Sequence, residues 1–549
     1  MVVGGGNAGF CAAHAAREAG ASVLLLEKCA PDQAGGNSFY TAGAFRVPYQ
    51  GIDDLIPLLA ERDPRLPDTT VPPYPESDFA ADLRRTTGGR CDPLLADVLV
   101  GQAAGIPSWL ARHGIRWRLM YERQAYPGDG RWVFFGGLPL GVTDGGKGLI
   151  AQHTAVAVAA GVEIRYQAEV DELVRDDDGR LSTVGYSAPD RARHRVTAGA
   201  VVLAAGGFEA DPVRRERHLG PGWGRAFVRG NPANTGEVLD LALAAGAAPY
   251  GDWSSCHSVQ WDAGAPPASG ERTLTNQLTR QSYPIGIVVN TQGRRFIDEG
   301  ADFRNYTYAK YGREILRQPG GLAFQIFDAK TRPMLRAEEY DSEPISAESA
   351  DTITDLAAKL GADPEGLAAT VAEFNASIAD VPFDPAVKDG RAARVLPPKS
   401  NWALAIDTPP YYGYRVACGI TFTFGGVRVD RQARVLTRSG RPIPGLHAAG
   451  ELVGGLFSGN YPGGSGLTAG AVFGRLAGAA AAEFSRNALC GRGLACLQAR
   501  RGPPVRASRS RRAAIHREGP LETCGGFPSN LSRHTHLSTV VYRSPQWYT

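Results

Sequence analysis

The sequence has little net charge, no long apolar run and no paired cysteines. Its 59 basic and 56 acidic side chains leave a formal charge of +3 over 549 residues, so nothing global draws it to nucleic acid or an anionic surface. No window approaches the ~18 consecutive apolar residues of a membrane-spanning helix. The eight cysteines are scattered, with no CxxC pair and no metal-ligand spacing. That removes zinc ribbons and disulfide scaffolds, predicts no metal site, and fits a reduced, cytoplasmic compartment. There is no internal repeat, and the start does not read as a secretory signal, because it runs at once into a glycine-rich turn. A buried first strand ordinarily has about four or more residues, so Met1 to Val3 reads as a strand short of a few natural residues.

Glycine is abundant, at 68 residues, which suits a backbone that must approach a ligand closely. The length predicts two or three domains. The glycines are most telling at the start. Val2-Val3 leads into Gly4-x-Gly6-x-x-Gly9, a helix follows from Phe10 to Ala19, Gly20 ends it, and Val23 to Leu26 reads as a buried parallel strand closed by Glu27. Gly4 permits the turn, Gly6 lets a pyrophosphate reach the backbone, and Gly9 lets helix pack on strand. The helix N-terminus, with Asn7 and Ala8 in its first turn, presents free N–H groups to phosphate. Glu27 is placed to accept from ribose hydroxyls, with Lys28 beside it. Strand, turn, helix, strand and terminal acid together predict a dinucleotide site.

The rest of the chain divides by texture. Residues 1–250 form a first cofactor-binding segment, with a helical excursion that includes Asp92 to Arg112. Within it, Gly148 to Ala160 reads as a helix, and Val162 to Tyr166 and Val201 to Ala205 read as strands. Residues 251–395 mix short strands with helices such as Pro364 to Ile378 and read as an inserted α+β cap. Residues 396–486 return to the first style and end in a small-residue helix from Thr468 to Ala482. Residues 487–549 hold ten arginines, two acidic residues and three cysteines without amphipathic period, and read as a disordered basic tail or a gene-model artefact.

Further motifs complete the pattern: Gly35-Gly36-Asn37-Ser38 with Thr41-Ala42-Gly43, Ala204-Ala205-Gly206-Gly207-Phe208, Gly445 to Glu451, and Asn460-Tyr461-Pro462-Gly463-Gly464-Ser465-Gly466-Leu467-Thr468. In this order they resemble the flavoprotein superfamily of fumarate reductases, succinate dehydrogenase flavoprotein subunits, aspartate oxidases and 3-ketosteroid dehydrogenases, over residues 1–486. The resemblance implies an α/β fold, a Rossmann-like FAD domain built from two segments with an inserted cap. It implies that Gly36, Asn37, Ser38 and Gly43 run beside the pyrophosphate and isoalloxazine. Glu169 and Val170 would hold the adenine edge, and Ala205, Gly206 and Gly207 would cross near the cofactor. Glu451 would hold the ribityl chain, and Ser465, Gly466 and Leu467 would face N1 and O2 of the flavin, where a helix start stabilises the reduced form. Phe39-Tyr40-Thr41 follows Ser38 where a covalent attachment histidine would stand, so the FAD is expected to be non-covalent.

Within the superfamily, Gly5 to Glu27, Asp298 to Phe303, Ile406 to Tyr412 and Gly419 to Val427 resemble tricarballylate dehydrogenase-like flavoproteins. The chain departs from fumarate reductases where it has Thr421 and Phe422 for a histidine pair, Tyr461 for a substrate-clamping arginine, and Trp261-Asp262 for a histidine-proline. Fumarate reduction itself is therefore not expected. The expected reaction is hydride transfer between flavin N5 and a carbon activated by a neighbouring carbonyl or carboxylate, with a small-molecule substrate and an unidentified electron acceptor. A ketosteroid-type reaction on a bulky ketone and a flavin protein without turnover are the alternatives. Such chemistry needs a donor for the developing enolate and a proton-transfer group. Tyr461 and Arg304 are the candidates, the latter in the segment where fumarate reductases keep a proton-shuttling arginine. Arg46 could clamp a carboxylate, His257 could pair with Asp262 facing the cleft, and Thr421 and Thr423 could contact substrate. Arg294-Arg295 reads as a solvated turn.

Overall fold

A computed structural model describes residues 1–128, 130–342 and 346–499, with side chains to 488. Residues 1–494 form one compact unit. Its first layer is a six-stranded sheet. Val2–Val3 sits between Leu24–Leu26 and Val201–Leu203, all parallel, with Glu163–Arg165 beyond one neighbour and Pro442–Ala448 beyond the other. Arg434–Leu436 closes that edge in antiparallel fashion. The central strands Val2–Val3, Leu24–Leu26 and Val201–Leu203 are short and wholly apolar, as burial on both faces requires. The helix Asn7–Glu18 packs its alanines and Cys11 into this core, and Gly145–Ala159 lies beside it.

The two helices are joined by a buried polar chain. His14 Nε2 and His153 Nδ1 are 3.0 Å apart, and His153 Nε2 lies 3.1 Å from Asn7 Oδ1. Asn7 Nδ2 donates to Leu467 O at 2.9 Å. The amide orientation fixes the tautomers: His153 donates to Asn7 through Nε2, so its Nδ1 accepts from His14 Nε2–H. Burial pushes His14 down to about 3 and His153 well below the ordinary histidine value, so both stay neutral.

The second sheet has a 17-residue spine, Tyr411–Val427. Pro249–Asp262 pairs with it antiparallel along almost its whole length, Phe227–Val228 pairs with it in parallel, and Leu322–Phe327 continues the sheet to Ile287–Asn290. Helices Ile353–Leu360 and Pro364–Ala376 bury Leu356, Leu360, Leu367 and Phe374 on this sheet. They start where the sequence can cap them, Thr352 and Asp363 accepting from the first-turn amides, with Pro364 in the first turn of the second helix.

Several expected boundaries move. The spine strand falls in the segment expected to rejoin the cofactor domain, yet it pairs with Pro249–Asp262, Leu322–Phe327 and Ala347–Ala350 from the segment expected as the cap. The stretch expected as one helix from Asp92 splits into Pro93–Ala103 and Ile106–Arg112, bent by 53° where Gly105 and Pro107 interrupt it. That bent pair alone meets the length and composition of a membrane span, and no single described helix is long and apolar enough to cross a membrane. Leu95, Leu99 and Trp109 of the pair lie in the core. The last helix, Ser465–Ala499, runs past the expected end at 482, and residues 500–549 of the expected tail lie outside the described residues.

Candidate active site

One cleft, about 1930 Å³ with its mouth, runs from the first glycine turn to the cap-side sheet. At its nucleotide end the turn is made by strict contacts. Gly4 has φ +103°, and a Cβ there would lie 2.4 Å from Ala204 O, while a Cβ on Gly9 would lie 1.9 Å from Gly4 O. Gly6 is different: a Cβ would meet nothing nearer than Ser38 Oγ at 3.6 Å, so the space above it belongs to a ligand. Gly6, Asn7 and Ala8 line the cleft at the start of the first helix, where amides lack intrahelical acceptors. Glu27 lines it too, its carboxylate held by Gly5 N–H at 2.8 Å and Cys29 N–H at 2.9 Å. Lys28 lies 3.1 Å from Glu169 and 3.3 Å from Glu237. Burial opposes its charge, but the two acids outweigh that and raise it above an ordinary lysine.

Gly36, Asn37, Ser38, Val170, Ala205, Gly206, Gly466 and Leu467 also line the cleft. Gly9, Gly43, Gly207 and Ser465 do not line it. Gly9 serves packing, Gly43 sits against the backbone of Gly145, Gly207 backs onto Glu451 and Thr423, and Ser465 donates to Pro462 O from a fully buried position. The pyrophosphate cradle, ribose carboxylate, helix starts and open space above Gly6 fit FAD.

Midway, Glu451 lines the cleft and accepts from Thr423 N–H at 2.7 Å, Thr423 Oγ1 at 3.1 Å and Asn234 Nδ2 at 3.2 Å. Thr423 therefore buttresses the cofactor wall. Asn234 also donates to Glu209, which receives Asn37 Nδ2 as well. Sequence reasoning missed Glu209. Burial and the neighbouring Glu451 push it well above the carboxylate range, so it keeps a proton.

At the far end stand Tyr461, Tyr308, His257, Arg304 and Arg229. The hydroxyls of Tyr308 and Tyr461 hydrogen-bond each other. Tyr461 is ringed by His257, Phe422 and Phe457. Burial holds both phenols above ordinary tyrosine, so they act as donors. Arg304 donates to Gln281 Oε1 at 2.9 Å and to Arg123 O. Burial, with Arg336 and Arg123 nearby, pulls it well below an ordinary arginine. Thr421 reaches the cleft, but its hydroxyl accepts from Arg229 Nη1 at 3.0 Å.

Three expectations fail here. Arg46 is buried outside the cleft lining, donating to Gly463 O at 2.7 Å, Tyr74 at 2.9 Å and Tyr306 at 3.1 Å, with Asp82 at 3.6 Å. His257 does not pair with Asp262, whose carboxylate binds Arg280 at 2.6 Å, and both ring nitrogens of His257 lack partners. Arg295, expected in a solvated turn, is buried and paired with Glu299. Tyr308 and Arg229 were missed. The only signal for Tyr308 was its place four residues after Arg304, and Arg229 gave none.

A cleft with these parts defines a flavin-dependent oxidoreductase. The family model described as "FAD binding domain" matches residues 1–467, and the chain belongs to that family, within the fumarate reductase and succinate dehydrogenase flavoprotein superfamily. It is 28% identical to a fumarate reductase (cytochrome) of Shewanella frigidimarina, over 89% of this chain and 77% of that one. It is 30% identical to a 4-oxocyclohex-2-ene-1-carboxylate 5-dehydrogenase of Sinomonas cyclohexanicum, over 67% of this chain and 64% of that one. A solved 3-ketosteroid delta1-dehydrogenase of Sterolibacterium denitrificans, complexed with 1,4-androstadiene-3,17-dione, superposes with TM-score 0.66 at 21% identity, covering 88% of this chain and 98% of that one, which shows the fold.

Proposed function

We propose that this FAD-dependent oxidoreductase interconverts a carbon–carbon single and double bond next to a ketone. The observation that carries this is the hydrogen-bonded pair Tyr308–Tyr461, both phenols protonated, buried and facing the cleft beside the start of the last helix. FAD, when bound, supplies the hydride acceptor or donor. The tyrosine pair has one hydroxyl hydrogen left over, and it donates to a carbonyl oxygen more strongly as that oxygen gains enolate character. Arg304, in electrostatic reach of Tyr308 and drawn toward proton release, is the proton-transfer group. The aromatic wall of His257, Phe422 and Phe457 excludes water around these groups.

The relatives support the chemistry at its coarser level, since they include reductases and dehydrogenases of oxo and carboxylate compounds. The tricarballylate-like motifs favour a carboxylate-bearing substrate, and the Tyr461 motif favours a ketone. Anaerobic mixing of the FAD-loaded chain with a panel of cyclic ketones and oxo acids, followed by loss of flavin absorbance, tests the reading. Tyr461→Phe is expected to retain FAD and to slow flavin reduction about 10²–10³-fold. An unchanged reduction rate overturns the role of Tyr461, and no bleaching by any ketone overturns the reading.

A further inference from the structure

Arg229 is a buried cation with no acid of its own. It follows Phe227–Val228, whose pairing with the spine strand and whose bond from Arg229 N–H to Ile420 O at 2.8 Å fix where it enters the cleft. The residue is 5% exposed. One terminal nitrogen donates to Thr421 Oγ1, the other to Asn276 Oδ1, and Nε has no partner. Among the described residues no carboxylate lies within ion-pair distance of it. Its electrostatic neighbours include Tyr308, Tyr461, Arg123 and Glu339, and Glu339 is held by Arg123 at 2.8 Å and Arg336 at 3.8 Å. Arg280, Arg295 and Arg123 are as deeply buried, and each holds a carboxylate.

A guanidinium left without an anion in such a place is unfavourable, and the imbalance is removed when an anion arrives. His257 points to the same conclusion. It is 1% exposed, stacks on Phe422 beside the Tyr461 ring, feels the charge of Arg229 and has both ring nitrogens free. The cleft therefore offers a cation and a neutral hydrogen-bonding ring within electrostatic reach of the two tyrosine hydroxyls.

We propose that Arg229, with His257 beside it, anchors a substrate carboxylate, and that the substrate class is a small oxo acid with its ketone oxygen on the Tyr308–Tyr461 pair. This deepens the ketone reading above and rests on it. Arg229 fills the role that Arg46 cannot, because Arg46 is enclosed behind the wall. The nearness of anchor and tyrosines favours a short chain or single ring over a bulky apolar ketone.

The test uses the FAD-loaded full chain and two probes, 4-oxocyclohexanecarboxylate and the neutral 4-methylcyclohexanone, read by perturbation of the visible flavin spectrum. The acid is expected to bind wild type at least about tenfold more tightly than the ketone, the scale of a charge-assisted hydrogen bond. Arg229→Gln should lose that advantage and leave ketone binding unchanged, and Arg229→Lys should recover part of it. Equal binding of the two probes by wild type overturns the proposal without need of a variant. So does an Arg229→Gln chain that retains FAD and binds the acid as before, or one in which both probes weaken together. If the ketone binds in a Tyr461-dependent way and the carboxylate adds nothing, the hydride-transfer reading stands and only the Arg229 assignment falls.

Discussion

The two ends of the cleft are built by different means. At the nucleotide end the ligand meets backbone: a turn that only glycine can make, helix-start amides, and one carboxylate fixed by two N–H groups. At the other end the cleft presents side chains, from residues 229, 257, 304, 308 and 461, of which Arg229 and His257 are set by the strands paired with the spine. Backbone recognition tolerates no intrusion but asks little of side-chain identity. Side-chain recognition reverses that, and so the same fold can carry many substrates on one cofactor site.

The sharpest way to break this comparison is at the turn. Gly9→Val is expected to yield no FAD-loaded protein, since its Cβ would overlap Gly4 O. Gly6→Ala should fold with an unchanged apo melting temperature yet bind FAD at least about tenfold more weakly, because its Cβ enters only ligand space. An FAD-replete Gly6→Ala chain would show that the cofactor does not approach there. At the other end, Tyr308→Phe should keep full FAD content and slow flavin reduction by about tenfold, a cost of roughly 1.4 kcal/mol in the barrier. Loss of FAD in that variant would mean the two ends are not separable.

The third expected effect lies in the histidine chain. His14 in the fold is depressed to about 3, so the unfolded chain binds more protons below the ordinary histidine value near 6.5. Stability is therefore complete above about pH 6.5 and falls as pH drops toward the folded value, by roughly 1.4 kcal/mol at one unit below. His153 acts in the same direction. Melting temperatures at pH 7.5 and 5.5 should differ accordingly, with a smaller difference in His14→Leu, and a flat profile would contradict the neutral pair. The smallest effect is expected at Glu209→Gln. An amide reproduces a carboxyl that already holds its proton, so FAD content and stability should change by less than about 1 kcal/mol. Lost FAD there would mean that Glu209 is ionised.

Legibility follows the same division. Gly4 to Glu27 could be read because every contact of that unit lies within one strand–turn–helix–strand, and Glu451 and Tyr461 because their motifs are contiguous. Arg46 was misplaced because its partners come from three separate segments, Tyr74 with Asp82, Tyr306 and Gly463, and nothing local says the side chain turns away from the cleft. Arg229 was invisible for the converse reason. What sets it apart is the absence of a carboxylate partner among the described residues, and an absence becomes visible only when the neighbours are in place.

The link from Asn7 to Leu467, with the pairing of Val202 to His447, has a consequence for biosynthesis. Strands and helix starts that hold one cofactor are separated by about 440 residues of chain. At synthesis rates of roughly 5–20 residues per second, the first glycine turn leaves the ribosome about 20–90 seconds before its partners exist. Through that interval Val201–Leu203 lacks its outer neighbour Pro442–Ala448, and Asn7 lacks the Leu467 carbonyl that receives its side chain. FAD capture is therefore expected only once residue 467 has been made, and a shortage of FAD would show as full-length protein without its cofactor.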